Sequence, residues 1–221
     1  MKSPIHFGTS GWRGLIAHDF TFEYLRLATQ GLALTLKSEL RRKNSPIHDK
    51  RPLVVISHDT RFLGRKFALA AAEILQQTGL EPLLTQRDAP TPVIALSIRH
   101  KKAVGGVNIT ASHNPFGYSG FKFSMPNGAG APPEFTGTIE AHAEKLLTKG
   151  WQPKTAVIGT FSCPEFDPAP AYLRRIRKLI NLRAIGKAKL RIAVELMHGT
   201  GRGYLDTLLE EAGAKVIRFH E

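Results

Sequence analysis

Three largely apolar segments of strand length, residues 53–57, 80–85 and 103–109, are separated by segments of helical pattern. Runs without polar alternation fit strands covered on both faces, the environment of a parallel sheet. Between the first two runs, residues 62–78 place Phe67, Ala70, Ala71, Ile74 and Leu75 inward, and Gly79 is a natural stop. Between the second and third, Thr91-Pro92 offers a capping hydroxyl and a proline for the first turn, and predicts a helix to about Lys102. Upstream, residues 21–42 form an amphipathic helix with Leu25, Leu32, Leu36 and Leu40 at helical spacing. Glu23 in its first turn and Arg41, Arg42 and Lys43 at its end suit the helix dipole. Strands alternating with helices predict the α/β class, here a three-layer α/β/α domain with a mixed, mostly parallel sheet.

The flanking segments complete that plan. Residues 4–7 read as a short strand, followed by a glycine-rich loop, Gly8 to Gly14, before an extended run resumes at Leu15-Ile16. Residues 118–124 are extended and expected to pair beside 103–109. Pro132-Pro133 open a helix that reaches Thr148 before Gly150. Pro153, Pro164, Pro168 and Pro170 mark residues 153–170 as a link, with a strand expected over 155–161. A basic helix follows over 171–182, whose charges predict a solvated face or an interdomain surface. Residues 190–196, 204–212 and 215–219 read as strand, helix and strand. The glycine loop between the first two, Met197 to Gly203, suits a tight turn better than a phosphate site. Two strands do not make an independently stable sheet. The expected division is therefore a first domain over 1–152, then a linker and an incomplete second α/β domain over 153–221.

Chemistry concentrates at Thr110-Ala111-Ser112-His113-Asn114-Pro115. The serine follows a strand, and Asn114-Pro115 forces the chain out of regular structure. A hydroxyl there is exposed and rigidly aimed. His113 handles protons near neutral pH, and Lys122 returns a positive charge on the next segment. Such a serine can carry a phosphoryl group, with its added negative charge and acceptor oxygens. Right-handed crossovers bring strand carboxyl ends to one edge. Ser112, Thr60-Arg61 and the stretch Ala89 to Thr91 all follow strands, where ligands of open α/β sheets collect.

Composition excludes several classes. One cysteine, Cys163, rules out an internal disulfide and a cysteine metal cluster. No apolar run approaches membrane-spanning length, and no secretory leader is visible, so a cytoplasmic protein is expected. The net charge of +13 suits nucleic acid, anionic lipid, a phosphorylated small molecule or an acidic partner. Its aromatics are not interleaved with basic residues and no recognition motif accompanies the charge, so no nucleic acid and no membrane are expected as partners.

In combination the motifs become specific. Thr9-Ser10-Gly11-Trp12-Arg13-Gly14, Asp59-Thr60-Arg61, Ala89-Pro90-Thr91-Pro92, the Ser112 run and Gly120-Phe121-Lys122 occur in that order. The set closely resembles the first domain of the α-D-phosphohexomutases, the phosphoglucomutase and phosphomannomutase family. Met197-His198-Gly199 resembles the start of that family's second domain. The resemblance implies intramolecular phosphoryl transfer on a hexose phosphate through a hexose bisphosphate. It implies Ser112 as the phosphorylated residue and a Mg²⁺ ligand, and His113, Lys122 and Arg13 as catalytic groups. Ser10 and Arg61 are implied as substrate contacts. The family's Asp-Gly-Asp-x-Asp-Arg metal loop, Gly-Glu-x-Ser-Gly sugar loop and Arg-x-Ser-Gly-Thr phosphate clamp have no counterpart here. The further domains are thus implied partners, and little mutase turnover is expected of this chain alone. The alternative is a binding or regulatory module that keeps the fold without catalysis.

Overall fold

The structure, a computed structural model, describes residues 5–8, 11–42, 52–153 and 160–221. The elements run β1 (Trp12–Leu15), α1 (Phe22–Arg41), β2 (Leu53–His58), α2 (Gly64–Gln77), β3 (Glu81–Thr85), α3 (Thr91–Lys101), β4 (Gly105–Ile109), β5 (Tyr118–Ser124) and α4 (Pro133–Thr148). Then come β6 (Glu165–Phe166), α5 (Ala169–Leu179), α6 (Leu182–Lys187), β7 (Arg191–Glu195), α7 (Leu205–Glu211) and β8 (Lys215–Phe219). A six-stranded sheet has the order β1-β5-β4-β2-β3-β6. β4, β2, β3 and β6 are parallel, and β5 lies antiparallel between β4 and β1. The sheet is mixed and mostly parallel, and helices cover both faces.

Alternation along the strands decides which helices go where. Val54, Ile56, Val107, Ile109, Phe121 and Phe123 join one core with buried residues of α1, α2 and α4. Val55 points the other way, into a core with Val93, Ile94 and Ile98 of α3 and Leu173 of α5. Phe123 stacks on Phe135 at the start of α4, with ring centroids 5.2 Å apart.

Several expectations shift. Trp12–Leu15 is a strand and not part of a loop, because Trp12 is buried on the core side and packs on Phe20 at 4.7 Å. No strand forms over residues 5–7, and Pro4 lies outside the described residues. α2 begins at Gly64, since Leu63 just before it takes a left-handed φ of 60°. α3 starts one residue early, with Pro90 at the cap and no side-chain cap bond, so Thr91 does not cap it. Of the strand expected over 155–161, residues 155–159 lie outside the described residues, and Thr160 and Phe161 form none. The strand in this region is β6, which pairs with β3 at the sheet edge. Backbone pairing thus carries the first sheet to Phe166, past the division expected at 152/153. The basic segment breaks into α5 and α6, where Asn181 caps the second by accepting from the Ala184 N–H.

Close sheet packing makes one glycine indispensable. A Cβ at Gly120 would stand 2.5 Å from the Thr110 carbonyl oxygen and 2.8 Å from that of Trp12. Both obstacles are backbone and cannot rotate away. Gly120→Ala is expected to lower stability by about 1–3 kcal/mol, read as a lower urea midpoint at unchanged slope.

Candidate active site

The chain leaves β4 at Ile109 and turns at once. Thr110 donates its N–H to the Gly120 carbonyl, still as part of the sheet, at 2.9 Å. Its hydroxyl then accepts the Ser112 N–H at 3.0 Å. Asn114 N–H returns to the Ala111 carbonyl at 3.1 Å. Ser112 sits at the apex with a left-handed φ of 58° and is exposed. L-residues avoid this conformation, at a cost of about 1–2 kcal/mol. Strain of this kind persists only where surrounding contacts over-determine it. The His113 Nδ1 stands 3.5 Å from the Ser112 Oγ, within reach of it but longer than a strong hydrogen bond.

Two cations approach from the strands alongside. Arg13 on β1 faces Gly120 on β5, which puts its side chain on the same sheet face as Lys122. Its Nη1 donates to the Asn114 Oδ1 at 3.0 Å, which ties β1 to the serine loop. Lys122 passes under the glycine loop: a Cβ on Gly11, at φ 111°, would come within 2.7 Å of the Lys122 Cγ. A cavity of about 180 Å³ opens there, lined by Gly8, Gly11, Thr91, Lys122, Ser124 and Thr136. Ser10 lies outside the described residues.

Partial burial holds the Lys122 ammonium below the usual lysine range, Arg13 pushes the same way, and Asp59 opposes both. A lysine depressed in the fold binds fewer protons there than in the unfolded chain. Stability therefore rises with pH across the window from the depressed value to the ordinary one. Below that window the charge at Lys122 is a standing penalty. Lys122→Met keeps the apolar stem and removes the charge. It is expected to melt above wild type at pH 7, with the gap closing as pH nears about 10.4, measured by calorimetry across that range.

Arg61 turns its guanidinium onto the loop. Its Nη1 donates to the Pro115 and Tyr118 carbonyls at 2.8 and 3.1 Å, and its Nη2 to those of Ser112 and Asn114 at 3.0 and 2.6 Å. Its Nε faces the Asp59 Oδ2 at 3.2 Å. All four terminal donors of the fork thus meet backbone carbonyls of the loop.

Sequence reading passed over some residues here. Lys122 pairs in register with Asn108, and Asn108 with Ser57, whose hydroxyl accepts from Thr85 at 3.2 Å. This polar row crosses the sheet one residue before its carboxyl edge, and the Asn108 Oδ1 has no partner among the described residues. A polar residue inside each otherwise apolar run was the available signal. Among the described residues no group of His, Cys, Asp or Glu is arranged to hold a metal ion.

The second glycine loop does not point to a ligand. Arg202 binds its own Gly199 carbonyl at 2.8 Å and pairs with Asp88, after β3, at 2.6 Å. Arg87 donates to the Arg202 carbonyl and covers the Tyr204 ring at 5.1 Å. Burial pushes the Tyr204 phenol up to about 12, with Arg87 opposing. The loop thus ties the segment of β7, α7 and β8 to Arg87 and Asp88 just after β3.

An open sheet with this order, helices on both faces and polar loops at the strand carboxyl ends defines a three-layer α/β/α domain. The model of the family described as phosphoglucomutase/phosphomannomutase, alpha/beta/alpha domain I, matches residues 4–149. The chain belongs to the phosphoglucomutase/phosphomannomutase family. It is 33% identical over 213 residues to a phosphoglucomutase/phosphomannomutase of Thermococcus kodakarensis, covering 96% of this chain and 43% of that one. A phosphoglucosamine mutase of Corynebacterium aurimucosum is 30% identical over 215 residues, covering 97% and 45%. A crystal structure from Thermus thermophilus, assigned as a phosphomannomutase, superposes with a TM-score of 0.82 at 32% identity, covering 99% of this chain and 46% of that one. The chain therefore spans a little under half the length of these relatives.

Proposed function

We propose that this chain is the nucleophile-bearing part of a phosphohexomutase, an isomerase of hexose phosphates. The observation that carries this reading is the exposed Ser112 hydroxyl at the carboxyl end of β4, on a loop tied to Arg13, with Lys122 on the same sheet face as Arg13. Ser112 would carry a phosphoryl group between the 1- and 6-positions of glucose or mannose phosphate, through a bisphosphorylated sugar. As phosphoserine donates, the Oγ–P bond breaks and a sugar O–P bond forms. The sugar hydroxyl proton passes to the freed Ser112 Oγ, and His113 is the titratable group placed to relay it. In the return step the Oγ gives that proton to the sugar oxygen whose bond to phosphorus breaks, and is phosphorylated again. Phosphoryl transfer depends chiefly on positioning and on offsetting negative charge. Arg13 and Lys122 supply cations on one side, and phosphorylation of Ser112 would draw the Lys122 pKa back upward.

Mg²⁺ is the family's implied cofactor. This chain brings a serine and two cations to the site, and its nearby carboxylate, Asp59, is engaged by Arg61. Those residues do not make a Mg²⁺ site alone. A phosphorylated Ser112 would need carboxylates from further domains to share one. The reading divides the chain into a first domain over 1–152 and a linker with a second domain over 153–221, the linker lending β6 to the edge of the first sheet. A cytoplasmic location fits it: among the described residues no helix is long and apolar enough to cross a membrane.

The test is incubation with glucose 1,6-bisphosphate followed by intact mass spectrometry and peptide mapping. One added phosphate, located on the peptide holding Ser112, is expected, with little conversion of glucose 1-phosphate to glucose 6-phosphate by this chain alone. An unmodified chain would sink the carrier reading in favour of a non-catalytic binding module.

A further inference from the structure

We infer that Arg61, anchored by Asp59, is the positioning residue that holds Ser112 in its left-handed turn, and not a contact for the sugar phosphate. The inference rests on the reading of Ser112 as the phosphoryl carrier. A guanidinium has five N–H donors in a fixed fork. The four terminal ones meet the carbonyls of Ser112, Asn114, Pro115 and Tyr118, and the fifth faces the Asp59 carboxylate. Asp59 also accepts the Arg61 backbone N–H at 3.0 Å, which fixes where the side chain starts. No donor remains to turn toward a phosphate. Both side chains of the pair are mostly buried, at 14% and 13% exposure, so solvent does little to loosen it.

The consequence is mechanical. The four carbonyls belong to one turn from Ser112 to Tyr118, and converging them on a single cation curls that turn around Arg61. The curl presses Ser112 into its left-handed φ and leaves its hydroxyl outward. Because Asp59 directly follows β2, the pin refers the loop to the parallel strand next to β4, which it leaves. A lysine keeps the charge, but its donors sit on one nitrogen and cannot span four diverging carbonyls.

The test compares wild type with Arg61→Lys and Arg61→Ala by amide hydrogen exchange. The reporters are the loop amides of Ser112, Asn114 and Tyr118, each of which makes a hydrogen bond inside the turn. Both variants are expected to exchange these amides at least tenfold faster while β2 and β4 stay as protected as in wild type. Wild-type protection of the loop in both variants would overturn the inference. Rates of phosphoryl uptake from glucose 1,6-bisphosphate supply the second arm. A lower rate constant at an unchanged half-saturating concentration is the expected result. A raised half-saturating concentration with an intact loop would return Arg61 to substrate binding and overturn the inference. If wild type takes up no phosphate, the carrier reading fails and the exchange arm alone decides on the pin. Should an Arg61 variant not fold, Asp59→Asn, which removes the anchor and keeps the fork, is expected to loosen the same amides to a smaller degree; an unaltered loop in that variant would overturn the inference.

Discussion

Ser112→Ala is expected to abolish phosphoryl uptake from glucose 1,6-bisphosphate, and Ser112→Thr to lose nearly as much. For alanine the reason is the missing oxygen: the neighbouring Thr110 hydroxyl is engaged by the Ser112 N–H and lies below the apex, so it does not substitute. For threonine the reason is conformation. A β-branched residue at φ 58° is an outlier, because its second γ substituent crowds the backbone. The two losses therefore have different signatures. Alanine should fold as wild type does, whereas threonine should also melt lower. Ser112→Gly gives the sharpest contrast. Glycine meets no Cβ penalty in the left-handed region, so it is expected to raise stability by about 1 kcal/mol while taking up no phosphate. A protein that gains stability on losing its proposed nucleophile holds that residue there for function. Intact mass and thermal melts on the three variants check this ordering.

Phe121→Ala is expected to have the largest effect on folding, a loss of about 3–5 kcal/mol. Phe121 has no exposure and sits at the centre of the larger core. Its ring meets Phe7 edge-on at 6.1 Å. β5 carries it between Gly120, which packs against the Thr110 carbonyl, and Lys122, which lies against Gly11 and lines the cavity there. A cavity there loosens the strand that both cations depend on, Arg13 through its pairing with β5 and Lys122 directly. Urea unfolding reads the stability loss. A midpoint close to wild type would show that the layer under the site is not close-packed.

Much of the fold was legible because it rests on local pattern. The apolar runs of β2, β3 and β4, and the periodicity of α1 and α2, follow from which residues bury and how often they recur, while α4 follows from the prolines that open it and the glycine that stops it. The elements misread were those whose state depends on a distant partner. β1 looked like a glycine loop because Gly11 and Gly14 flank Trp12 and Arg13, and only pairing with β5 makes it a strand. β6 is too short to carry a signal, and exists because β3 offers an open edge. Thr91 looked like a cap, but the chain turns into α3 one residue sooner, at Pro90.

The candidate site divides along the same line. Sequence alone determined that a serine stands at the end of a buried strand with Asn-Pro forcing a turn, that histidine follows it, and that lysine returns on the next strand. Those are relations between near neighbours, set by covalent geometry and strand period. What Arg61 does was decided only in three dimensions. From its sequence neighbours it could face a phosphate or pair with Asp59 beside it. Four carbonyls more than fifty positions along the chain converge on it once β2 and β4 pair, and a five-donor cation surrounded by acceptors has no lower-energy place to point.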